Sequence, residues 1–300
     1  MNFHALFLLS LVSIPASLLA QDQLVYPIDV AVGPQEEIYI ADLKLPGIWK
    51  VVDGKPEVFF QASKTFRTPL NAVRCVTVDT DGILYAGDSA TREVYAFGSD
   101  KKPLPLTNGW IGVAADLIVD GDEIIVSDLE TQRIWQFPKS GGEPKERAVI
   151  AAVRGLAKDS EGNLIAVTAT EDPVRRIKSE ADIAAAIKNA DEKRAAGVKE
   201  AEIEPVIYSE TILAGRPFEF SHHCVIVADM IYVSDNYAST IWKSKLEAGA
   251  KPEPLVQGDP LNRPVGLCQY KGGFLVADPH AKKIFQISSA GEISVLIGSD

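Results

Sequence analysis

The sequence predicts an all-β chain, a six-bladed β-propeller with one short helical insertion in blade four. Three observations carry this prediction: a short phrase that recurs, the spacing of its copies, and the strand-like runs around each copy. The phrase is clearest over residues 81–97, where the turn Asp81-Gly82 precedes an apolar run, a polar loop opens at Asp88, and a second alternating run follows through Val94 and Ala96. It returns at residues 37–42 (EIYIAD), 123–128 (EIIVSD), 230–235 (MIYVSD) and 273–278 (GFLVAD), with a degenerate copy at 162–168 (GNLIAVT) in which Thr168 stands where the others have Asp. The closing residues of the six copies lie 46, 40, 40, 67 and 43 residues apart. Repeats of roughly 40 residues, each with four short strands, are the signature of a propeller.

The blades tile the chain as 26–61, 70–107, 114–150, 153–212, 222–256 and 265–297. Within the second, residues 73–78 form the innermost strand, 83–87 the next, 93–97 the third and 103–107 the outer one. Inner strands are apolar on both faces, as blades packed face to face require. The long gap in blade four is an insertion over residues 179–204 between its third and fourth strands. Ser179-Glu180-Ala181-Asp182 can cap a helix, Ile183, Ile187 and Ala190 mark one side, and Gly197 can end it. This helix is expected to lie over the blade's edge; the functional alternatives are a partner-docking element or a plug for the lower channel.

The first twenty residues carry an apolar run from Ala5 to Ile14, then Pro15 and small residues up to Ala20, the layout of a secretory signal. Residues 1–20 therefore read as a signal peptide and 21–300 as the propeller, in a secreted or periplasmic protein. That run is shorter than the ~20 residues that span a bilayer, so no membrane association beyond export is expected. Net charge is −11 with no long Lys/Arg cluster, which argues against nucleic acid as a partner, since binding it begins with cationic neutralisation of phosphate. Cys75, Cys224 and Cys268 have no metal-ligand spacing and sit in apolar runs. They read as buried small hydrophobes, with one disulfide open to an exported chain.

With the blades aligned, the phrase of apolar inner strand, Asp-Gly turn, Leu-Tyr-x-x-Asp and a following Arg resembles the NHL-repeat propellers and, more distantly, the gluconolactonase/regucalcin family. The resemblance covers nearly the whole mature chain and implies the fold; such propellers host lactonases, lyases and binding scaffolds alike. The lactonase branch holds a divalent cation through a Glu, an Asn and an Asp at the channel mouth. The counterparts here are Tyr26-Pro27-Ile28-Asp29, Arg154-Gly155-Leu156 and Val265-Gly266-Leu267. Arg cannot ligate a cation, so the resemblance does not bring that metal site with it. The related amidating-enzyme lyases hold zinc through His at inner-strand starts. Candidates for such a site are His222, His223 and His280, completed by Asp278 or Asp235. No cofactor is expected otherwise.

Reading across the six inner-strand starts gives Ile28, Arg74, Ala115, Arg154, His223 and Val265, with Asp29, Cys75, Asp116, Gly155, Cys224 and Gly266 one residue on. The entering loops add Arg67, Arg216 and Arg263. The expected ligand-binding set is Arg74, Arg154, His223, Asp29, Asp116, Arg216 and Arg263. Two readings stand open. The arginines either clamp a small anion, such as a carboxylate or sugar acid, or pair with Asp29, Asp116 and the loop aspartates to hold blades together. The repeated loop Asp (Asp88 before Arg92, Asp128 before Arg133, Asp278 before Lys282) reads as structural, accepting backbone N–H bonds in its own turn with a cation behind it. Nucleophile motifs and phosphate-cradling loops are absent from the sequence, and Tyr237 and Trp242 read as sugar-stacking or blade packing. The expected function is a binding scaffold for a small anionic ligand or a protein partner; the alternative is a divergent lactonase-like hydrolase or lyase.

Overall fold

In the computed structural model, which describes residues 23–298, the chain winds into six four-stranded antiparallel sheets. The expected signal peptide lies outside the described residues. Each sheet takes four consecutive strands in simple up-and-down order, because two-to-five-residue turns connect antiparallel neighbours most directly. The innermost strands are Pro27–Val32, Val73–Val78, Ala114–Asp120, Val153–Lys158, Ser221–Val227 and Gly266–Tyr270. Helix α1 (Glu180–Ala195) follows the third strand of the fourth sheet and precedes its outer strand, Ser209–Leu213. Ser179 caps it by accepting from the Asp182 amide, and Gly197, at φ +80°, lets the chain leave.

Six apolar clusters form the core, one at each junction between neighbouring blades. The ring closes chiefly by packing: Val30, Ile38, Ile40 and Trp49 of the first blade meet Leu275, Ala277, Ile284 and Ile297 of the last, and Lys271 pairs with Glu36 across the junction at 2.9 Å. Among the described residues no strand is exchanged between those blades, and Leu24 is buried in the closing cluster rather than added to a sheet. Helix α1 buries Ile183 and Ala190 beside blades three and four, but Ile187 is exposed, so the apolar stripe is shorter than its sequence spacing suggests. The helix lines a groove on the outside, with Phe137 and Arg147 of blade three. It lines neither cavity of the channel, and so it is not a plug.

The closing aspartates explain why the phrase repeats. Asp128 accepts from the Gly112 and Val113 amides of the segment entering its own blade, and from the amide and hydroxyl of Thr131 in its own turn. Asp42, Asp88, Asp235 and Asp278 do the same at their blades. One carboxylate thus ties two loops together and satisfies amides that a turn leaves without partners. Two of the cations expected behind these carboxylates are engaged elsewhere: Arg92 pairs with Glu130 and Arg133 with Glu146. The three cysteines are free thiols, Cys75 and Cys224 buried and Cys268 half-buried, and no disulfide joins them. Burial raises the pKa of all three, which keeps them protonated and unreactive.

Candidate functional site at the channel mouth

Five of the six inner strands make the same irregularity where they enter the channel, and only blade six pairs without a shift. Pairing with the second strand runs Pro27↔Asp42 then Asp29↔Ala41, Val73↔Asp88 then Cys75↔Gly87, and Ala114↔Asp128 then Asp116↔Ser127. In each case one residue is left without an opposite number. Blades four and five show the same slip, from Val153 to Leu156 and from Ser221 to Cys224. These β-bulges turn the extra residue toward the channel mouth. The extra residues are Ile28, Arg74, Ala115, Arg154 and His222, and together with Val265 of the sixth blade they line one cavity of about 320 Å³. The next residue of each strand points to a deeper layer.

That register changes the reading of blade five. His222, not His223, stands beside Arg154 at the mouth, while His223 occupies the layer of Asp29, Cys75, Asp116, Gly155 and Gly266. Asp29, Asp116 and His223 meet at the waist of the channel. The His223 Nε2 lies 2.9 Å from Asp116 Oδ1 and 3.8 Å from Asp29 Oδ1, and its Nδ1 lies 3.1 Å from the Leu267 carbonyl. Both ring nitrogens therefore face acceptors, which is the environment of an imidazolium. Burial alone pushes the His223 pKa down, but the Asp116 and Asp29 carboxylates more than reverse this and carry it up to about 10. Burial raises Asp29 to about 6, with His223 opposing it.

The waist repeats every second blade. Asp29 of blade one accepts from Val76 of blade two, Asp116 of blade three accepts from Leu156 of blade four, and His223 of blade five donates to Leu267 of blade six. The even blades answer with small residues. A Cβ on Gly155 would lie 2.8 Å from the Cys224 amide, and one on Gly266 would lie 2.6 Å from the Asp29 Cα. Ser127 and Ser234, each just before a closing Asp, reinforce the alternation: they donate to the Arg154 and Val265 carbonyls and accept from the Asp116 and His223 amides. A Ser-Asp ending in blades three and five, where blades one, two and six have Ala-Asp or Gly-Asp and blade four Val-Thr, was the available sequence signal.

The mouth itself has a different character. Arg74, Arg154 and Arg263 line its cavity with His222, His280, Tyr26, Phe220, Tyr237 and Asn236, and no Asp or Glu lines it. Among the described residues no carboxylate lies within 4 Å of any of these three guanidinium groups. Arg74 Nε donates to Ser89 Oγ at 3.0 Å. Arg154 stacks on Phe220, with Cζ 4.5 Å from the ring centre, and its Nε is buried without a partner. Burial lowers its pKa. Its Nη1 is 3.5 Å from His222 Nδ1, and burial together with this cation pushes His222 down to about 3, so the imidazole stays neutral. Phe220 stacks in turn on Tyr237 at 4.7 Å, and the Arg263 guanidinium is 5.6 Å from the Tyr237 ring.

Of the sequence-predicted set, Arg74, Arg154 and Arg263 come together here. Asp29, Asp116 and His223 lie below, at the waist. Arg216 is exposed and does not line the cavity, and Arg67 sits against Phe66 beside a separate surface hollow. The sequence named His222 only as a metal candidate and put His223 at the mouth, because the bulge between Ser221 and Cys224 is invisible in local sequence, and it missed Phe220, which enters from the preceding loop. Of the zinc candidates, His222 and His280 line the same cavity, while His223 is held at the waist, Asp278 is taken up by its own turn, and His280 Nε2 lies 3.5 Å from the Tyr26 hydroxyl. Among the described residues no three His, Cys, Asp or Glu side chains are grouped to hold a metal.

No protein-family model matches the sequence, and no curated protein matches it. Solved structures do match in shape. A gluconolactonase from Xanthomonas campestris is 12% identical, with 94% of this chain and 93% of that one covered and a TM-score of 0.66. Virginiamycin B lyase from Staphylococcus aureus is 12% identical, covering 91% and 84% at a TM-score of 0.60. A chain of the nidogen/laminin complex is 13% identical, covering 89% and 91% at 0.59. At these identities the likeness is one of fold, and what this chain shares with gluconolactonase-like and lyase propellers is the six-bladed ring itself.

Proposed function

We propose that this protein is an exported ligand-binding propeller whose channel mouth takes a small carboxylate, such as a sugar acid. The observation that carries the reading is the set of three arginines facing one cavity with no acidic partner. Guanidinium groups are rarely left without an anion, and their planar fork suits a carboxylate. The export half of the reading rests on the apolar amino-terminal sequence. Titration calorimetry at low salt with benzoate and D-glucuronate tests the pocket. Binding to the wild type that falls at least tenfold in Arg154→Ala is expected; negligible affinity of both proteins for both acids would sink it.

A second reading is an enzyme of the lactonase-like hydrolase or lyase class. Its support is the neutral His222 beside Arg154, a proton acceptor next to a carboxylate-binding cation, together with the fold shared with a gluconolactonase and a lyase. Turnover of aldonolactones or elimination from uronate esters by the wild type, lost in His222→Ala, would favour the enzyme over the scaffold. The nidogen neighbour, solved in a complex with laminin, keeps a protein partner open for the same face.

A further inference from the structure

Three cations in one cavity ask for more than one negative charge. Arg74, Arg154 and Arg263 come from blades two, four and six, so they surround the channel instead of converging from one side. Two stacked rings, Phe220 and Tyr237, stand between the Arg154 and Arg263 guanidiniums. One carboxylate has two oxygens a little over 2 Å apart and is satisfied by a single guanidinium fork; it cannot reach across two aromatic rings. Ile28, Val113, Ala115 and Val265 line the cavity with the two rings, alongside the polar His222, Asn236 and His280.

We infer that the ligand is a small dicarboxylate whose acidic groups sit at opposite ends of an apolar body. This rests on the anion-pocket reading above and narrows it. One end pairs with Arg154, whose buried Nε has no partner in the protein, and the other with Arg263 at the exposed rim. The apolar middle lies along Phe220 and Tyr237, the latter 59% exposed. Burying that middle adds affinity that a monocarboxylate or a compact dianion cannot gain together with both ion pairs.

Titration calorimetry on the full chain with four probes tests this: benzoate, isophthalate, the flexible dicarboxylate adipate, and malonate, which has two carboxylates and almost no spacer. The expected result is that isophthalate or adipate binds at least tenfold more tightly than both benzoate and malonate. In Arg263→Gln, a rim substitution that leaves the buried arginine in place, the advantage of the dicarboxylates over benzoate should vanish. Whether the rigid or the flexible dicarboxylate binds better identifies a ring or a chain as the middle, and either supports the inference. Benzoate binding as tightly as isophthalate and adipate would overturn it while leaving the anion pocket standing. Malonate matching them would overturn it as well, because charge alone would then suffice. If none of the four binds, the inference falls together with the pocket reading.

Discussion

His223 is the residue on which the channel's chemistry turns. It is a buried cation held between two carboxylates and a carbonyl. Such a group is worth little compared with a well-packed apolar substitute, but removing it alone leaves two buried charges facing each other. His223→Leu should therefore lose about 3–5 kcal/mol at neutral pH, read from urea unfolding, and adding Asp116→Asn should recover part of that loss. The pH dependence has a fixed sign. His223 is raised from 6.5 to about 10, so its contribution is whole below the unfolded value and is lost as pH climbs through 10. Asp29, raised from 3.8 to about 6, also makes the folded state bind the extra proton, so stability falls as pH rises between those values. The wild type should lose stability between pH 6.5 and 10, and the double variant should not. A wild type with flat stability over that window would contradict the imidazolium assignment.

At the scale of the element, the recurring hairpin is held by its closing Asp. Sequence reading found this role because the same residue recurs five times, and a site needs only one copy. Loop amides hold the carboxylate, as that reading expected, while Arg92 and Arg133 pair with Glu130 and Glu146 instead. Asp128 shows the consequence. Burial raises its pKa, but the hydrogen bonds from Val113, Gly112 and Thr131 outweigh this and hold it below the usual value. Its stabilisation is thus present above the unfolded pKa near 3.8 and is lost as pH falls through the lower folded value. Asp128→Ala should cost on the order of 3 kcal/mol at pH 7, since several hydrogen bonds to a charged group are lost and their donors left buried. Thermal unfolding of the variant at pH 7 and at pH 3 checks both parts, because the difference from wild type should shrink at the lower pH. A difference that stays constant would assign the effect to packing.

For the molecule as a whole, stability depends on six similar junctions, and the closing one has no exchanged strand to secure it. Gly266 is the tightest point of that junction, since its Cβ would meet both the Asp29 Cα and Asp29 Oδ1 at 2.6 Å and the Ile28 carbonyl at 3.0 Å. Two of these atoms are backbone and cannot swing aside. Gly266→Ala should force the first and last blades apart at a cost of about 3 kcal/mol. Limited proteolysis and urea unfolding would show the opening, with Gly98→Ala, whose added Cβ comes no closer than 3.5 Å to Asp100, as a control that changes neither. Equal behaviour of the two variants would mean that the ring tolerates a looser closure.

The sequence by itself determined the ring: six copies of one hairpin, their spacing, the helix with its cap at Ser179, and the presence of Arg74 and Arg154 near inner-strand starts. These features are local, set by turn chemistry and by alternation within a few residues. Only the tertiary structure decided which histidine faces the mouth. A one-residue bulge inverts the side chains around it, and nothing in the run Ser221-His222-His223-Cys224 marks where the extra residue falls. The fate of the charges was likewise decided in three dimensions. Asp29 and Asp116 were taken by amides 47 and 40 residues away and by His223 across the channel, so the arginines one layer above were left without them. Which charge meets which depends on contacts between blades, and those exist only once the ring has closed.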